Sequence, residues 1–170
     1  MKILLLSLIL FLSPTLINAQ KNAYIDSDYI LGKIPEYKEA KDKLDKLAER
    51  WTKEVEDRNA IIKVKKDNFA REEVLLPAEE KQKRKEEIEK METEVMEIQK
   101  LRFGVNGDYF QKRQELVKPI QDRVFEAIQE VASKKLYTFV IDKANQSNLV
   151  YADPKLDISD AVLKEMGIAK

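Results

Sequence analysis

Three aspartates beside predicted strands come nearest to a catalytic arrangement in this sequence. Asp26, Asp142 and Asp153 each follow a short apolar run, so their carboxylates could meet in space and perform general acid–base chemistry. Such a pair also needs a cleft and further catalytic groups, and no such group is identifiable in the sequence. We therefore predict that these three aspartates have roles in turns and at strand edges.

The residue types that carry most enzymatic chemistry are missing. The 170 residues include no His and no Cys, which excludes thiol nucleophiles, imidazole bases, disulfides and thiolate or imidazole metal sites. The four Gly do not form a phosphate-binding loop, and "GVNGD" lacks the spaced acidic ligands of a calcium loop. The sequence predicts a protein that is not an enzyme and that uses no cofactor or metal.

Charge is abundant and balanced along the chain. The 31 basic and 31 acidic residues give a formal net charge of zero. Nucleic-acid binding depends on a basic excess that neutralises phosphates, so we predict no nucleic-acid partner.

The first nineteen residues are typical of a secretory signal peptide. Lys2 precedes fifteen uncharged residues, "ILLLSLILFLSPTLI", and Ala19 is a small residue suited to cleavage. A membrane-spanning helix needs about 20 apolar residues, and this run is shorter and contains Pro14. We expect residues 1–19 to direct export and to be removed near Ala19.

A charged helical hairpin is predicted for residues 36–119. Residues 36–75 contain no Gly or Pro and repeat acidic and basic residues four apart, in the order that stabilises a solvated helix. Pro77 disfavours helical backbone at the residue before it and suits the start of a new helix. These signals predict two antiparallel helices with a tip near residues 75–79.

Apolar residues recur at heptad spacing along both predicted helices, which indicates a seam between them. One of the two sets of seam positions in the first helix turns charged after Trp51, so the apolar contact should thin away from the start of that helix. The predicted apolar seam residues of the first helix are Leu44, Ala48, Trp51, Val55, Ile62, Phe69 and Leu76. Those of the second helix are Ile88, Met91, Val95, Ile98, Val105 and Tyr109, with Arg102 at one seam position.

Glycine and proline interrupt the second helix. Gly104 and Gly107 together disfavour helix by about 2 kcal/mol relative to alanine, and Pro119 is a second interruption. We take these three residues as hinge candidates. The residues after Pro119 form the densest apolar face in the chain, which predicts that the root of the hairpin packs against a body.

Residues 20–35 and 120–170 predict that body, which is small and rich in β-structure. The runs "NAYID", "YTFVID" and "LVYA" read as strands, and "YTFVID" is apolar on both faces, as expected of a strand that is buried on both sides. Three strands leave unpaired edges, so we expect the sheet to be completed by other copies of the chain. The candidate residues for this trimerisation core are Ala23, Ile25, Phe139, Ile141, Leu149, Val150 and Tyr151.

The order of these segments resembles the Skp/OmpH family of periplasmic chaperones. The segments are "AYIDSDYIL", the charged hairpin, "KRQELVKPIQDRVFEAIQEVASKKLYTFVID", "LVYAD" and "DISDAVLKEM". The resemblance implies a periplasmic, jellyfish-like homotrimer in which strands from three chains form a small central β-barrel. Three coiled-coil hairpins then enclose a cavity that holds unfolded outer-membrane β-barrel precursors without ATP. The best-known members are strongly basic, and this neutral chain does not predict direct membrane or lipopolysaccharide binding.

Weak apolar contacts repeated over three arms would hold such a client. The candidate client-contact residues are Phe69, Val74, Leu75, Leu76, Met91 and Met96. Each of them also suits packing within the hairpin, and both roles stay open. The alternative function is an exported coiled-coil scaffold protein that binds one defined envelope partner.

Overall fold

The computed structural model describes residues 21–168, and most of them are helical. The predicted signal peptide, residues 1–19, lies outside the described residues. The elements in chain order are β1 (Asn22–Ile25), α1 (Ser27–Lys33), α2 (Pro35–Glu72), a 3-10 turn (Glu73–Leu75), α3 (Ala78–Phe103), α4 (Asp108–Leu116), α5 (Lys118–Lys135), β2 (Phe139–Asp142), two 3-10 turns (Lys143–Asn145 and Pro154–Leu156) and α6 (Ser159–Glu165). No helix within this described part is long and apolar enough to cross a membrane.

Helices α2 and α3 form the predicted antiparallel hairpin, which we call the arm. With 38 residues, α2 is about 57 Å long at 1.5 Å per residue. The chain reverses through the 3-10 turn and Leu76, whose ψ of 143° is extended because Pro77 follows it. The two long helices are confirmed, and the chain reverses between Glu72 and Ala78.

The seam of the arm contains few buried side chains. Ile62, Ile88 and Val95 are buried there, with Phe69 and Met91 partly buried against them. The prediction that Val105 continues this seam is wrong. Its side chain is 97% exposed because α3 ends at Phe103 and the next residues form a loop.

The helix break at Gly104 and Gly107 is confirmed, and the backbone approaches itself closely there. A Cβ atom on Gly104 would lie 2.3 Å from the carbonyl oxygen of Lys100, and one on Gly107 would lie 2.6 Å from that of Leu101. Side chains are therefore excluded from both positions. Pro119 lies in the first turn of α5, where a missing N–H costs no helical hydrogen bond. Whether these residues act as hinges stays a prediction.

The body surrounds strand β1 with three helices, α1, α5 and α6. The largest fully buried side chains of the body are Ile30 in α1, Ile34 directly after α1, and Val162 in α6. Helix α5 contributes the apolar face that its sequence predicts. The buried residues of this core are Ala23, Ile25, Ile30, Leu31, Ile34, Ala40, Leu44, Val117, Ile120, Val124, Ala127, Val131, Ile158, Val162 and Leu163.

The two strands are parallel and lie side by side, with Asn22 opposite Phe139 and Ile25 opposite Asp142. The other edge of β1 forms a bridge to Asp157, so β1 is covered on both sides. The other edge of β2 has no partner strand within residues 21–168.

The predicted third strand, residues 149–152, is wrong for the single chain. This segment is irregular, and Val150 and Tyr151 are 98% and 78% exposed. The expected burial of β2 on both faces is also wrong, since Phe139 and Ile141 are 45% and 37% exposed. In the single chain this segment does not pair with the free edge of β2, and one face of β2 is left uncovered.

Candidate functional site

The two aspartates at the strand ends are brought together, but both act as backbone caps. The Asp26 carboxylate accepts a 2.9 Å hydrogen bond from the N–H of Tyr29 at the start of α1, and Lys143 lies 3.3 Å from it. The Asp142 carboxylate accepts a 3.1 Å hydrogen bond from the N–H of Ser27. Hydrogen bonds to ionised carboxylates stabilise the junction between strands and helices, so these aspartates have structural roles.

The hydrogen bonds of Asp142 affect its ionisation. Burial alone would raise the pKa of this carboxyl, but the hydrogen bonds from Ser27, Asn145 and the N–H of Ala144 outweigh it and hold the pKa below its ordinary value. The group is therefore ionised at neutral pH. Asp153 lies elsewhere, where its carboxylate accepts a 3.0 Å hydrogen bond from the N–H of Lys155 in a 3-10 turn.

No arrangement for metal binding occurs in the described part of the chain. Among residues 21–168, no three His, Cys, Asp or Glu side chains are grouped to hold an ion.

The arm and the neighbouring helix α4 expose several large apolar side chains, which we call the arm apolar set. Single exposed apolar residues are ordinary, but a thin helical hairpin that exposes this many is suited to contact with other apolar chains. The arm apolar set consists of Ile61, Val64, Val74, Leu75, Met96, Leu101, Val105 and Phe110.

The predicted client-contact residues divide into two groups. Val74 and Leu75 at the tip are 87% and 84% exposed, and Met96 on α3 is 62% exposed. Phe69 and Met91 instead pack against the buried seam, so their side chains are largely committed to the hairpin.

The sixth candidate, Leu76, is half-buried beside the turn. A role in client contact stays a prediction for all six residues.

Five members of the arm apolar set are not among the predicted client-contact residues. These are Ile61, Val64, Leu101, Val105 and Phe110. A heptad pattern finds residues that face the partner helix, and these residues lie outside the seam. The apolar residues that the heptad pattern does not assign to the seam include four of these five. Val105 is the exception, because the pattern assigns it to the seam.

The predicted trimerisation residues also lie in two environments. Ala23 and Ile25 are buried in the chain's own core, where they stabilise the body of one chain. The other five are exposed; they are Phe139, Ile141, Leu149, Val150 and Tyr151.

A groove of about 360 Å³ lies next to strand β2. Apolar side chains such as Leu31, Phe125 and Val140 line it, together with Asp142. The groove lies on the Val140 face of β2, whereas Phe139 and Ile141 are exposed on the opposite face. The free edge of β2 and both of these faces are candidate surfaces for contact between chains.

The sequence and the fold were compared with known proteins. The profile of the family described as outer membrane protein (OmpH-like) matches residues 21–166. Among solved structures, an OmpH-like protein from Caulobacter crescentus, described as a candidate outer membrane chaperone, is similar with a TM-score of 0.62. The two sequences are 13% identical, and the match covers 88% of this chain and 84% of the other, which shows a shared fold. No curated protein matches the sequence.

Proposed function

The chain belongs to the OmpH-like outer membrane protein family, and we propose that it is an ATP-independent holdase chaperone of the periplasm. Its clients are unfolded outer-membrane β-barrel proteins, which it binds in a cavity between arms and protects from aggregation. The observation that carries this proposal is the arm apolar set, because it places apolar contact sites along a charged, solvated hairpin.

Clients of this class present alternate apolar side chains and unpaired backbone groups, which makes them prone to aggregate. An arm that exposes dispersed residues such as Ile61, Leu75 and Met96 can contact many such sequences weakly. Methionine suits this task because its side chain is flexible and polarisable. Several arms around one client raise the effective concentration of these contacts, so no single tight pocket is needed.

We further propose that three chains assemble through their bodies. The free edge of β2 and the exposed Phe139 and Ile141 are the surfaces that a neighbouring chain would cover. Residues 149–152 of one chain would then pair with the β-structure of its neighbour. This arrangement makes the β-structure of three chains a central barrel and sets three arms around a cavity.

The proposed location is the periplasm, after removal of the predicted signal peptide. The balanced charge of 31 basic and 31 acidic residues gives no basis for nucleic-acid, membrane or lipopolysaccharide binding. The proposed action is binding alone and includes no enzymatic step.

The proposal is tested by diluting a urea-unfolded outer-membrane β-barrel protein into buffer with an excess of the mature chain. We expect light scattering from aggregates to be suppressed. A variant without residues 60–92 should sediment as a trimer and give no suppression, because it retains the body and lacks the outer arm. Unchanged aggregation with the full chain would contradict the holdase function and favour the alternative, a coiled-coil scaffold with one defined partner.

A further inference from the structure

One arginine contacts all three helices that meet at the break in the arm. Arg102, in the last turn of α3, forms an ion pair with Asp108, the first residue of α4. Its guanidinium also lies 3.7 Å from the carboxylate of Glu54 and 5.1 Å from the ring centre of Trp51, both on α2. Such a cation over an indole ring is an attractive contact.

Aromatic side chains extend this contact. Trp51 meets Phe103 edge to face at 6.1 Å between ring centres, and Phe103 lies 6.4 Å from Tyr109 on α4. The Arg102 side chain is 29% exposed, compared with 40% and 53% for Lys65 and Glu87 in the arm. Salt therefore screens the ion pairs of Arg102 less than it screens the pair of Lys65 and Glu87.

The backbone alone does not fix where α3 lies beside α2 at this level. Helix α2 runs continuously past the break, whereas α3 ends at Phe103 and α4 begins at Asp108. Across the interruption, the relative position of α3 and α4 depends on side-chain contacts with α2. Arg102 is a residue that makes such contacts with α2 and α4 at once.

The hydrogen-bonding groups of Arg102 are not all paired, and one of its ion-pair contacts is weak. Its Nε atom is buried without a hydrogen-bond partner, and its contact with Glu54 is long. Glu54 also lies 3.5 Å from Arg58, which offers this carboxylate a second cation. A buried donor without a partner is unusual and calls for an explanation. Because Nε has no partner and Glu54 can pair with Arg58 instead, the Arg102 side chain can adopt a second set of contacts.

We propose that Arg102 is a latch that holds the interrupted side of the arm against the continuous helix α2. While it bridges Glu54, Trp51 and Asp108, the arm keeps one direction relative to the body. When these contacts open, α3 can shift along α2, and α2 loses the support of α3 at this level and can bend there. The latch thereby controls how widely the arms spread.

The test measures the distance between the tip and the body by pulsed electron spin resonance. Spin labels are placed on exposed positions Ala78 and Ser133, and labelled chain is diluted with unlabelled chain so that each assembly carries one labelled copy. Arg102→Met should shift and broaden the distance distribution. Arg84→Met is the matched control, because Arg84 also bridges α2 and α3 through Glu72 but lies near the tip.

The fluorescence of Trp51 supplies a second readout, since it is the only tryptophan in the chain. Arg102→Met should make Trp51 more accessible to quenching by acrylamide, and Arg84→Met should not. Asp108→Asn keeps the size of the side chain and should broaden the distance distribution less than Arg102→Met. It replaces Arg102→Met as the test if that variant loses its helical circular dichroism.

Unchanged distances in Arg102→Met, or in Asp108→Asn where Arg102→Met unfolds, would overturn the latch. Equal broadening in Arg84→Met would do the same. No client is present in either measurement, so the latch is tested separately from the proposed chaperone function.

Discussion

The body and the arm are both mainly helical, yet different interactions stabilise them. In the body, short elements surround one cluster of fifteen buried residues. In the arm, helices of 38 and 26 residues share a seam with three buried side chains, Ile62, Ile88 and Val95. Burial of apolar surface is the main stabilising term in folding, so most of the stability of the chain resides in the body.

Ion pairs between helices supplement the few apolar contacts in the outer arm. Lys65 lies 2.5 Å from Glu87, and Arg84 lies 2.6 Å from Glu72. Because these side chains are exposed, such pairs set the register of the helices more than they stabilise the hairpin. Because few buried contacts stabilise it, the arm can open locally while the body stays folded.

The largest predicted effect is from a cavity in the body. Ile30→Ala removes a fully buried side chain and should lower the free energy of unfolding by about 2–5 kcal/mol. Ile61→Ala is the matched control, because this isoleucine is 51% exposed on the arm and its truncation should cost about 0.5 kcal/mol or less. Urea unfolding measures both, and similar losses in the two variants would contradict the contrast between body and arm.

A smaller effect is expected from the same truncation in the arm. Ile88→Ala removes one of the three buried seam residues and should cost about 2 kcal/mol, the lower end of the range for such changes. The loss should be local. Hydrogen exchange should accelerate at amides of α2 and α3 near the tip, while amides of α5 and α6 keep their protection. Faster exchange in both regions would show that arm and body unfold as one unit.

The junction of the strands and α1 should be sensitive to acid through Asp142. Because hydrogen bonds lower its pKa in the folded chain, its stabilisation is present above the ordinary value of 3.8 and is lost as pH falls through the lowered value. We expect Asp142→Asn to cost about 1 kcal/mol at neutral pH, after allowance for solvent screening.

Thermal unfolding from pH 7 to pH 3 checks this sign. The difference between wild type and Asp142→Asn should shrink only below the ordinary pKa. A difference that stays constant throughout the acid range would assign the effect to packing.

The smallest effect on stability is expected at the tip. Replacing Val74 and Leu75 by serine should change the free energy of unfolding by about 0.5 kcal/mol or less, because both are exposed by more than four-fifths. The same change should weaken protection of an unfolded client in the light-scattering assay. Leu156→Ser, at an exposed leucine of the body, is the control and should retain full protection.

Local signals in the sequence predicted the arm well. Pro77 and the pair Gly104 and Gly107 fix where helices end, because their effects depend on the backbone beside them. The resemblance to the Skp/OmpH family is confirmed by the family match over residues 21–166. These features require no knowledge of which distant residues meet.

Features that depend on partners were predicted less well. Residues 149–152 have the composition of a strand but form none in the single chain, because strand formation also depends on tertiary neighbours that composition does not reveal. The cluster of Arg102, Trp51 and Asp108 could not be predicted, since three helices must first be placed. Likewise, the heptad pattern found the seam but did not reveal exposed residues such as Ile61.

The pairing of β1 with β2 also determines when the protein can fold. Ser27 and Asp142, which join at the ends of these strands, are 115 residues apart in the chain. Contacts of such sequence separation form slowly, whereas helices form within microseconds. During folding, the arm can therefore become helical before β1 has paired with its partner strand. For that interval the chain itself exposes an unpaired apolar strand, as its proposed clients do.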